Sequence, residues 1–170
     1  MENVYLGLGG NIGDTPAIFD KALQLIQAIP GIYALQVSSY YLTTPVSPIP
    51  QNDYINAVAQ FKTSLNAKIL FSHLQKIERT LGKTPKIKDA PRVIDLDILF
   101  FGCHYFHSRE LVIPHPKWME RLFVLAPLCE LTNEITFSDH NGYIQTVHLQ
   151  TFIKNFSNPH HETVGVLCTK

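Results

Sequence analysis

Two carboxylates, Asp95 and Asp97, stand two residues apart in the run Arg92-Val93-Ile94-Asp95-Leu96-Asp97-Ile98-Leu99-Phe100-Phe101, which is otherwise mostly β-branched or large and apolar. Side chains of a strand point alternately to its two faces, so a strand here puts Asp95 and Asp97 on one face and Leu96 and Ile98 on the other. An isolated buried charge is costly. A hard divalent cation that keeps part of its water shell and bridges to substrate phosphates satisfies both carboxylates at once. Arg92, just upstream, adds a planar fork suited to phosphate oxygens. D-x-D is a short pattern, however, and two solvent-facing aspartates on an edge strand fit it as well.

Other residues with chemical reach surround this pair. The stretch 83–88 carries Lys83, Lys86 and Lys88. It is either an ordinary solvated connection or a basic loop that faces phosphates beside a metal site. His115 is pinned between Pro114 and Pro116 and is either packed or a positioned donor toward phosphate; Arg121 and Phe123 follow. Gly7-Leu8-Gly9-Gly10-Asn11-Ile12-Gly13 fails the dinucleotide fingerprint, because G-x-G-x-x-G from Gly7 needs glycine where Ile12 stands. It reads as a tight strand-to-helix turn, or as a turn that brings backbone or Asn11 to a ligand. Cys103-His104-Tyr105-Phe106-His107 looks like a zinc fragment but lacks a second ligand pair at finger spacing.

Composition sets the class. With 170 residues, 45% hydrophobic and 16% charged, the chain is expected to form one domain over 1–170 with a proper core. Fourteen basic residues balance fourteen acidic ones, which argues against nucleic acid or an anionic membrane as partner. Cys103, Cys129 and Cys168 are scattered and read as reduced thiols. With no basic-then-apolar start and no long apolar run, the expected location is the cytoplasm.

The elements that must position these groups follow from periodicity. A strand over 4–8 leads through the glycine turn to a helix capped by Asp14, with Ile18, Phe19, Ala22, Leu23, Ile26 and Ile29 at helical spacing before Pro30-Gly31. A strand is predicted over 33–43, then a loop stiffened by Pro45, Pro48 and Pro50. A strand over 53–62 sets Tyr54, Asn56, Val58 and Gln60 against Ile55, Ala57, Ala59 and Phe61. Asn66 caps a second helix that stops at Gly82, and the carboxylate strand over 95–101 follows. The order β-α-β-β-α-β predicts an α+β sheet containing antiparallel pairs, with both helices on one face. Beyond Gly102 the pattern predicts an extended 111–116, one or two helical turns within 119–130, a short helix within 146–156 and a featureless tail over 157–170.

In series, these pieces resemble the 6-hydroxymethyl-7,8-dihydropterin pyrophosphokinase family of folate biosynthesis over about residues 4–130. The resemblance is carried by Lys88-x-Ala90-Pro91-Arg92-x-x-Asp95-Leu96-Asp97-Ile98-Leu99. Supporting it in order are Gly9-Gly10-Asn11-Ile12-Gly13-Asp14, Thr43-x-Pro45-Val46, Asp53-Tyr54-Ile55-Asn56-Ala57, Gln75-x-x-Glu78, Pro114-His115-Pro116 and Arg121-x-Phe123-Val124-Leu125-x-Pro127-Leu128.

It implies a ferredoxin-like βαββαβ sheet with helices on one or both faces plus a C-terminal extension. It also implies transfer of pyrophosphate from ATP to the pterin hydroxymethyl group, releasing AMP. Asp95 and Asp97 would hold two Mg²⁺ ions and, with Arg92 and Lys83, serve catalysis. Gln75, Glu78, Lys88, Arg92, Ile98, His115 and Arg121 would bind ATP. Thr43, Pro45, Val46, Tyr54, Asn56 and Phe123 would bind the pterin, Tyr54 and Phe123 sandwiching its ring. A monomer is expected.

The chain also departs from the family. The family's loop before the signature tends to carry arginines and a tryptophan; here it is lysine-rich, with Asp89 where the aromatic is expected and the only tryptophan, Trp118, elsewhere. Lysine keeps the charge but loses the bidentate fork. Rival readings are a nucleotidyltransferase that releases pyrophosphate instead of AMP, and a pterin- or nucleotide-binding protein without catalysis.

Overall fold

Strand β1 (Glu2–Gly10) is central to the sheet, with β4 (Tyr54–Thr63) antiparallel on one side and β5 (Asp95–Phe101) antiparallel on the other. The computed structural model describes residues 1–45, 50–84 and 90–167; Val46, Lys88, Asp89 and Cys168 lie outside the described residues. Two helices connect these strands. In α1 (Thr15–Gln27) the Asp14 side chain accepts from the Ala17 N–H at 3.2 Å, and Phe19, Ala22, Leu23 and Ile26 are buried. In α2 (Ala67–Thr80) Asn66 accepts from the Ile69 N–H at 2.9 Å, and Leu70, Leu74 and Ile77 are buried. Both helices begin where a short polar side chain satisfies an otherwise orphaned N–H, as the sequence predicts.

The strand expected over 33–43 is two strands, β2 (Ile32–Val37) and β3 (Tyr41–Thr43), both antiparallel to β4. The break has a local cause. The register on β4 shifts between Tyr33 and Gln36, and Ala34 takes a positive φ of 52°. Buried Ser38 then bonds the β4 edge with its backbone N–H to Val58 O (2.9 Å) and its hydroxyl to the Val58 N–H (3.0 Å).

Each face of the sheet builds a core. Val4, Leu6, Leu8, Ala57, Ala59, Phe61, Leu96 and Ile98 pack with α1 and α2. On the opposite face Tyr5, Val58, Leu99 and Phe100 pack with Trp118 and with Val124, Leu125 and Leu128 of α3 (Leu122–Leu131). Helices therefore cover both faces: α1 and α2 share one, as the βαββαβ order predicts, and α3 takes the other. At 10 residues α3 is longer than the one or two turns expected; its all-round apolar character, with Pro127 inside, blunts the helical periodicity that reading depends on.

A short pair, β6 (Phe106–His107) and β7 (Val112–Ile113), falls partly in the segment predicted to be extended. A hairpin follows, β8 (Glu134–Ser138) with β9 (Ile144–His148), then α4 (Leu149–Lys154). The helix predicted within 146–156 is present, but its first three positions belong to β9. The tail holds a further strand, β10 (Val164–Val166), which joins β3 and makes the main sheet order β10-β3-β4-β1-β5. Among the described residues, no helix is long and apolar enough to cross a membrane.

Candidate active site

The carboxylate strand starts at Asp95 and alternates as expected. Leu96 and Ile98 turn into the α1/α2 core, and Asp95 and Asp97 open into a cleft on the other face. The register between β1 and β5 shifts after Ile98, so Leu99 and Phe100 both join the second core. Across the ladder, Asp95 faces Gly9 and Asp97 faces Gly7. A Cβ on Gly9 would lie 2.9 Å from Asn56 Oδ1, so glycine here keeps the cleft floor open.

The edge-strand reading is half right. β5 does end the main sheet path, but Asp95 is only 7% exposed. Lys83 Nζ donates to Asp95 Oδ1 at 2.6 Å and also bonds Glu78, while Arg92 Nη1 bonds Asp95 Oδ2. Burial works against the Lys83 ammonium, but the hydrogen bonds and charges of Asp95 and Glu78 prevail and raise its pKa. Arg92 is raised in the same way, burial being outweighed by Asp95 and then Tyr54. Both cations are therefore firmly charged.

One wall of the cleft is the β3–β4 side. The buried Asn56 donates from Nδ2 to Thr43 Oγ1 at 2.7 Å. The Tyr54 hydroxyl donates to Gln51 Oε1 at 2.9 Å, which also accepts from Asn11 Nδ2 at 2.9 Å. Asn11 exchanges two further bonds with Arg92, its N–H donating to the Arg92 carbonyl and its Oδ1 accepting from the Arg92 N–H, both 2.9 Å. Asn11 thus stitches the glycine turn to the signature segment, which favours the structural reading of that turn. Gly10 is needed there, since a Cβ would stand 2.5 Å from the Val93 carbonyl oxygen.

The facing wall carries Lys117, Arg121, Phe123, Val124 and His160. The Arg121 guanidinium sits 5.4 Å from the Phe123 ring centroid and 3.5 Å from His115 Nε2. His115 Nδ1 accepts from the Lys117 N–H at 3.2 Å. Burial, then the Arg121 and Lys117 cations, push the His115 pKa down to about 4 against the opposing pull of Asp95. The ring is therefore neutral at pH 7, and because a neutral imidazole offers one acceptor nitrogen, it accepts either from the Lys117 N–H or from Arg121, not from both.

Of the residues expected from the sequence, Thr43, Tyr54, Asn56, Arg92, Asp95, Asp97, Arg121 and Phe123 line this one cleft. Lys83 reaches it through Asp95, Glu78 through Lys83, and His115 through Arg121. Pro45 is half-buried beside the cleft-lining Thr44. Ile98 is 3% exposed in the core beneath, and Gln75 is half-buried on α2 away from the lining. Glu78 is 6% exposed and accepts from the Leu96 N–H at 2.7 Å, tying α2 to β5. Gln51, Lys117 and His160 join the cleft without having been expected.

Among the described residues no group of three or more His, Cys, Asp or Glu could cage a metal. Two carboxylates on adjacent positions of one strand face supply part of an oxygen shell. That donor set fits a hard ion arriving with phosphates and water rather than a protein-only site.

A family model described as 7,8-dihydro-6-hydroxymethylpterin-pyrophosphokinase (HPPK) matches residues 5–133. The chain belongs to this family. A Bacillus subtilis 2-amino-4-hydroxy-6-hydroxymethyldihydropteridine pyrophosphokinase is 40% identical over 136 residues, covering 79% of this chain and 81% of that protein. The folic acid synthesis protein fol1 of Pneumocystis carinii is 39% identical over 134 residues, 79% of this chain but 18% of that longer protein. In three dimensions, a crystal structure of an HPPK-DHPS in complex with substrates gives a TM-score of 0.59 at 14% identity, over 78% of this chain and 40% of the other. Only the fold follows from that last likeness. The matched residues 5–133 include the strand, turn and α3 start that line the cleft.

Proposed function

We propose that this HPPK-family chain transfers pyrophosphate from ATP to the hydroxymethyl group of 6-hydroxymethyl-7,8-dihydropterin, a step of folate biosynthesis. The observation that carries the reading is one cleft, in a chain of this family, that joins a carboxylate pair and two cations to a polar-rimmed aromatic slot. The pterin hydroxyl oxygen attacks the β-phosphorus of ATP and gives up its proton to water, the bond from that phosphorus to the oxygen bridging to the α-phosphorus breaks, and AMP leaves with that oxygen.

Tyr54 and Phe123 line the same cleft and sandwich the pterin ring, whose flat faces need apolar cover. Asn56, held by Thr43, reads the rim with backbone around Thr43 to Pro45. Arg92 and Arg121 hold phosphate oxygens. His115, neutral at pH 7, stands beside Arg121 and adds a hydrogen-bonding group without adding charge. Lys83 supports catalysis by steadying Asp95 between substrate turnovers. Gln75, Glu78 and Ile98 lie on the α2–β5 side, where the nucleotide base is expected.

Asp95 and Asp97 would hold Mg²⁺, two ions in this reading; bound there, they orient the nucleophile and offset charge on the transferring group. The sheet order β5-β1-β4-β3, with α1 and α2 on one face, supports a ferredoxin-like classification. We read residues 1–170 as one pyrophosphokinase domain acting as a monomer in the cytoplasm, its balanced charge giving no general hold on nucleic acid or a membrane.

Incubation with MgATP and the pterin, followed by identification of the nucleotide product, tests the reading. Pterin-dependent AMP is expected. Free pyrophosphate would instead indicate adenylyl transfer, and binding of both substrates without AMP would indicate a binding protein.

A further inference from the structure

The segment after α4 lies beyond residues 5–133, the stretch matched by the family model, yet it is built into the cleft. Asn158 fixes its turn, accepting from the Glu162 N–H at 2.9 Å and donating from Nδ2 to the Glu162 carbonyl at 3.0 Å. The chain then runs antiparallel to β3, with Val164 opposite Thr43. Thr44 and Thr163 add two bonds, Thr44 N–H to Thr163 O at 3.2 Å and Thr163 N–H to Thr44 Oγ1 at 3.0 Å. Thr43 is the residue that orients Asn56.

From this anchored turn Glu162 reaches the start of α3. It is 4% exposed, and its Oε2 accepts from the Phe123 N–H at 3.1 Å. Its Oε1 is buried and finds no hydrogen-bond partner among the described residues. The helix has no local side-chain cap, because Arg121 occupies the cap position. A helix start leaves orphan N–H groups and a partial positive charge, and a carboxylate 39 residues further along the chain supplies what Arg121 cannot. Burial raises the Glu162 pKa, and the N–H groups of Phe123 and Leu122 oppose that rise. Leaving one carboxylate oxygen buried and unpaired is costly. His160, two residues before Glu162, lines the cleft with Arg121 and Phe123.

We propose that this C-terminal segment forms a wall of the pterin half of the active site. Glu162 is a positioning residue that sets Phe123 by capping α3, and His160 faces the pterin directly. The proposal rests on the pyrophosphokinase reading for the identity of the ligand.

The test uses the full-length chain as wild type, Glu162→Ala, Glu162→Gln and His160→Ala. Pterin-dependent AMP formation is measured with each substrate varied, and pterin and ATP affinities are measured by calorimetry. Glu162→Ala should raise KM for the pterin about tenfold, with KM for ATP changed by less than about twofold. Glu162→Gln keeps an acceptor for the Phe123 N–H and should recover most of that loss. His160→Ala, at an exposed position, should raise the pterin constant about threefold with an unchanged Tm.

Pterin and ATP constants that rise together in Glu162→Ala overturn the positioning role, and so does a lowered Tm with wild-type kinetics. An unchanged pterin constant in His160→Ala removes the wall. Should Glu162→Ala not fold, Glu162→Gln against His160→Ala decides. If the wild type forms no AMP, the parent reading fails, while the calorimetric pterin affinities still decide this one.

Discussion

Replacing Asp97 by asparagine keeps the side-chain volume and one oxygen but removes the charge that a divalent cation requires. Asp97 sits on the cleft face of β5 rather than in either core, so the fold should tolerate the change. Turnover is expected to fall by about 100-fold or more while Tm moves by no more than roughly 2 °C. Near wild-type turnover in this variant would remove the metal assignment. His115 gives a second test at this scale. In the unfolded chain its imidazole takes a proton near the ordinary value of 6.5, whereas the fold resists protonation until about pH 4. Acid therefore protonates the unfolded chain selectively in that window. The stability is whole above about pH 6.5, drains as pH falls, and is fully lost below about pH 4, a loss of roughly 3 kcal/mol. Denaturant unfolding of wild type and His115→Gln at pH 7 and pH 4.5 checks it: the variant should lose less stability between the two. Equal losses would mean that the ring is not buried in its neutral form.

Between elements, the critical joint is α2 to β5 through Glu78. Its carboxylate takes the Leu96 N–H and the Lys83 ammonium at once, just beneath the carboxylate strand. Glu78→Ala strands a buried backbone donor and leaves Lys83 with Asp95 alone, which should cost about 3 kcal/mol and lower Tm by roughly 10 °C. An unchanged Tm would show that the helix is held to the strand by packing only. The hairpin β8–β9 carries its own local signal in the sequence. Its strands alternate around Thr136 and Thr146, whose hydroxyls meet at 3.0 Å, and Asn141-Gly142 between them is a strong turn dipeptide, Gly142 having a φ of 83°. α3 hides its length in the sequence for the opposite reason. Leu122, Val124, Leu125 and Leu128 sit among further apolar residues, so no stripe stands out until the second core is seen.

For the molecule as a whole, ligand linkage supplies the prediction. The cleft collects groups from β1, β3, β4, β5, α3 and the tail, so occupancy should stabilise the entire sheet rather than one loop. With MgATP and the pterin present together at about 100 times their dissociation constants, Tm should rise by roughly 10–20 °C. Chelating the metal with EDTA should remove most of that rise, as seen by scanning calorimetry. A rise that survives EDTA would separate nucleotide binding from Asp95 and Asp97.

Local alternations and caps are legible from the order of residues alone: Asp95 and Asp97 on one strand face, Leu96 and Ile98 on the other, Asp14 and Asn66 at the helix starts. These depend on residues a few positions apart, which is the range over which propensity and periodicity act. The fold alone brings Lys83 between Glu78 and Asp95, locks Asn11 to Arg92, and sets Glu162 to cap a helix 39 residues upstream. Such pairings are set by how the sheet stacks β1 between β4 and β5 and returns β10 to β3, and no local pattern encodes a contact between residues so far apart in the chain.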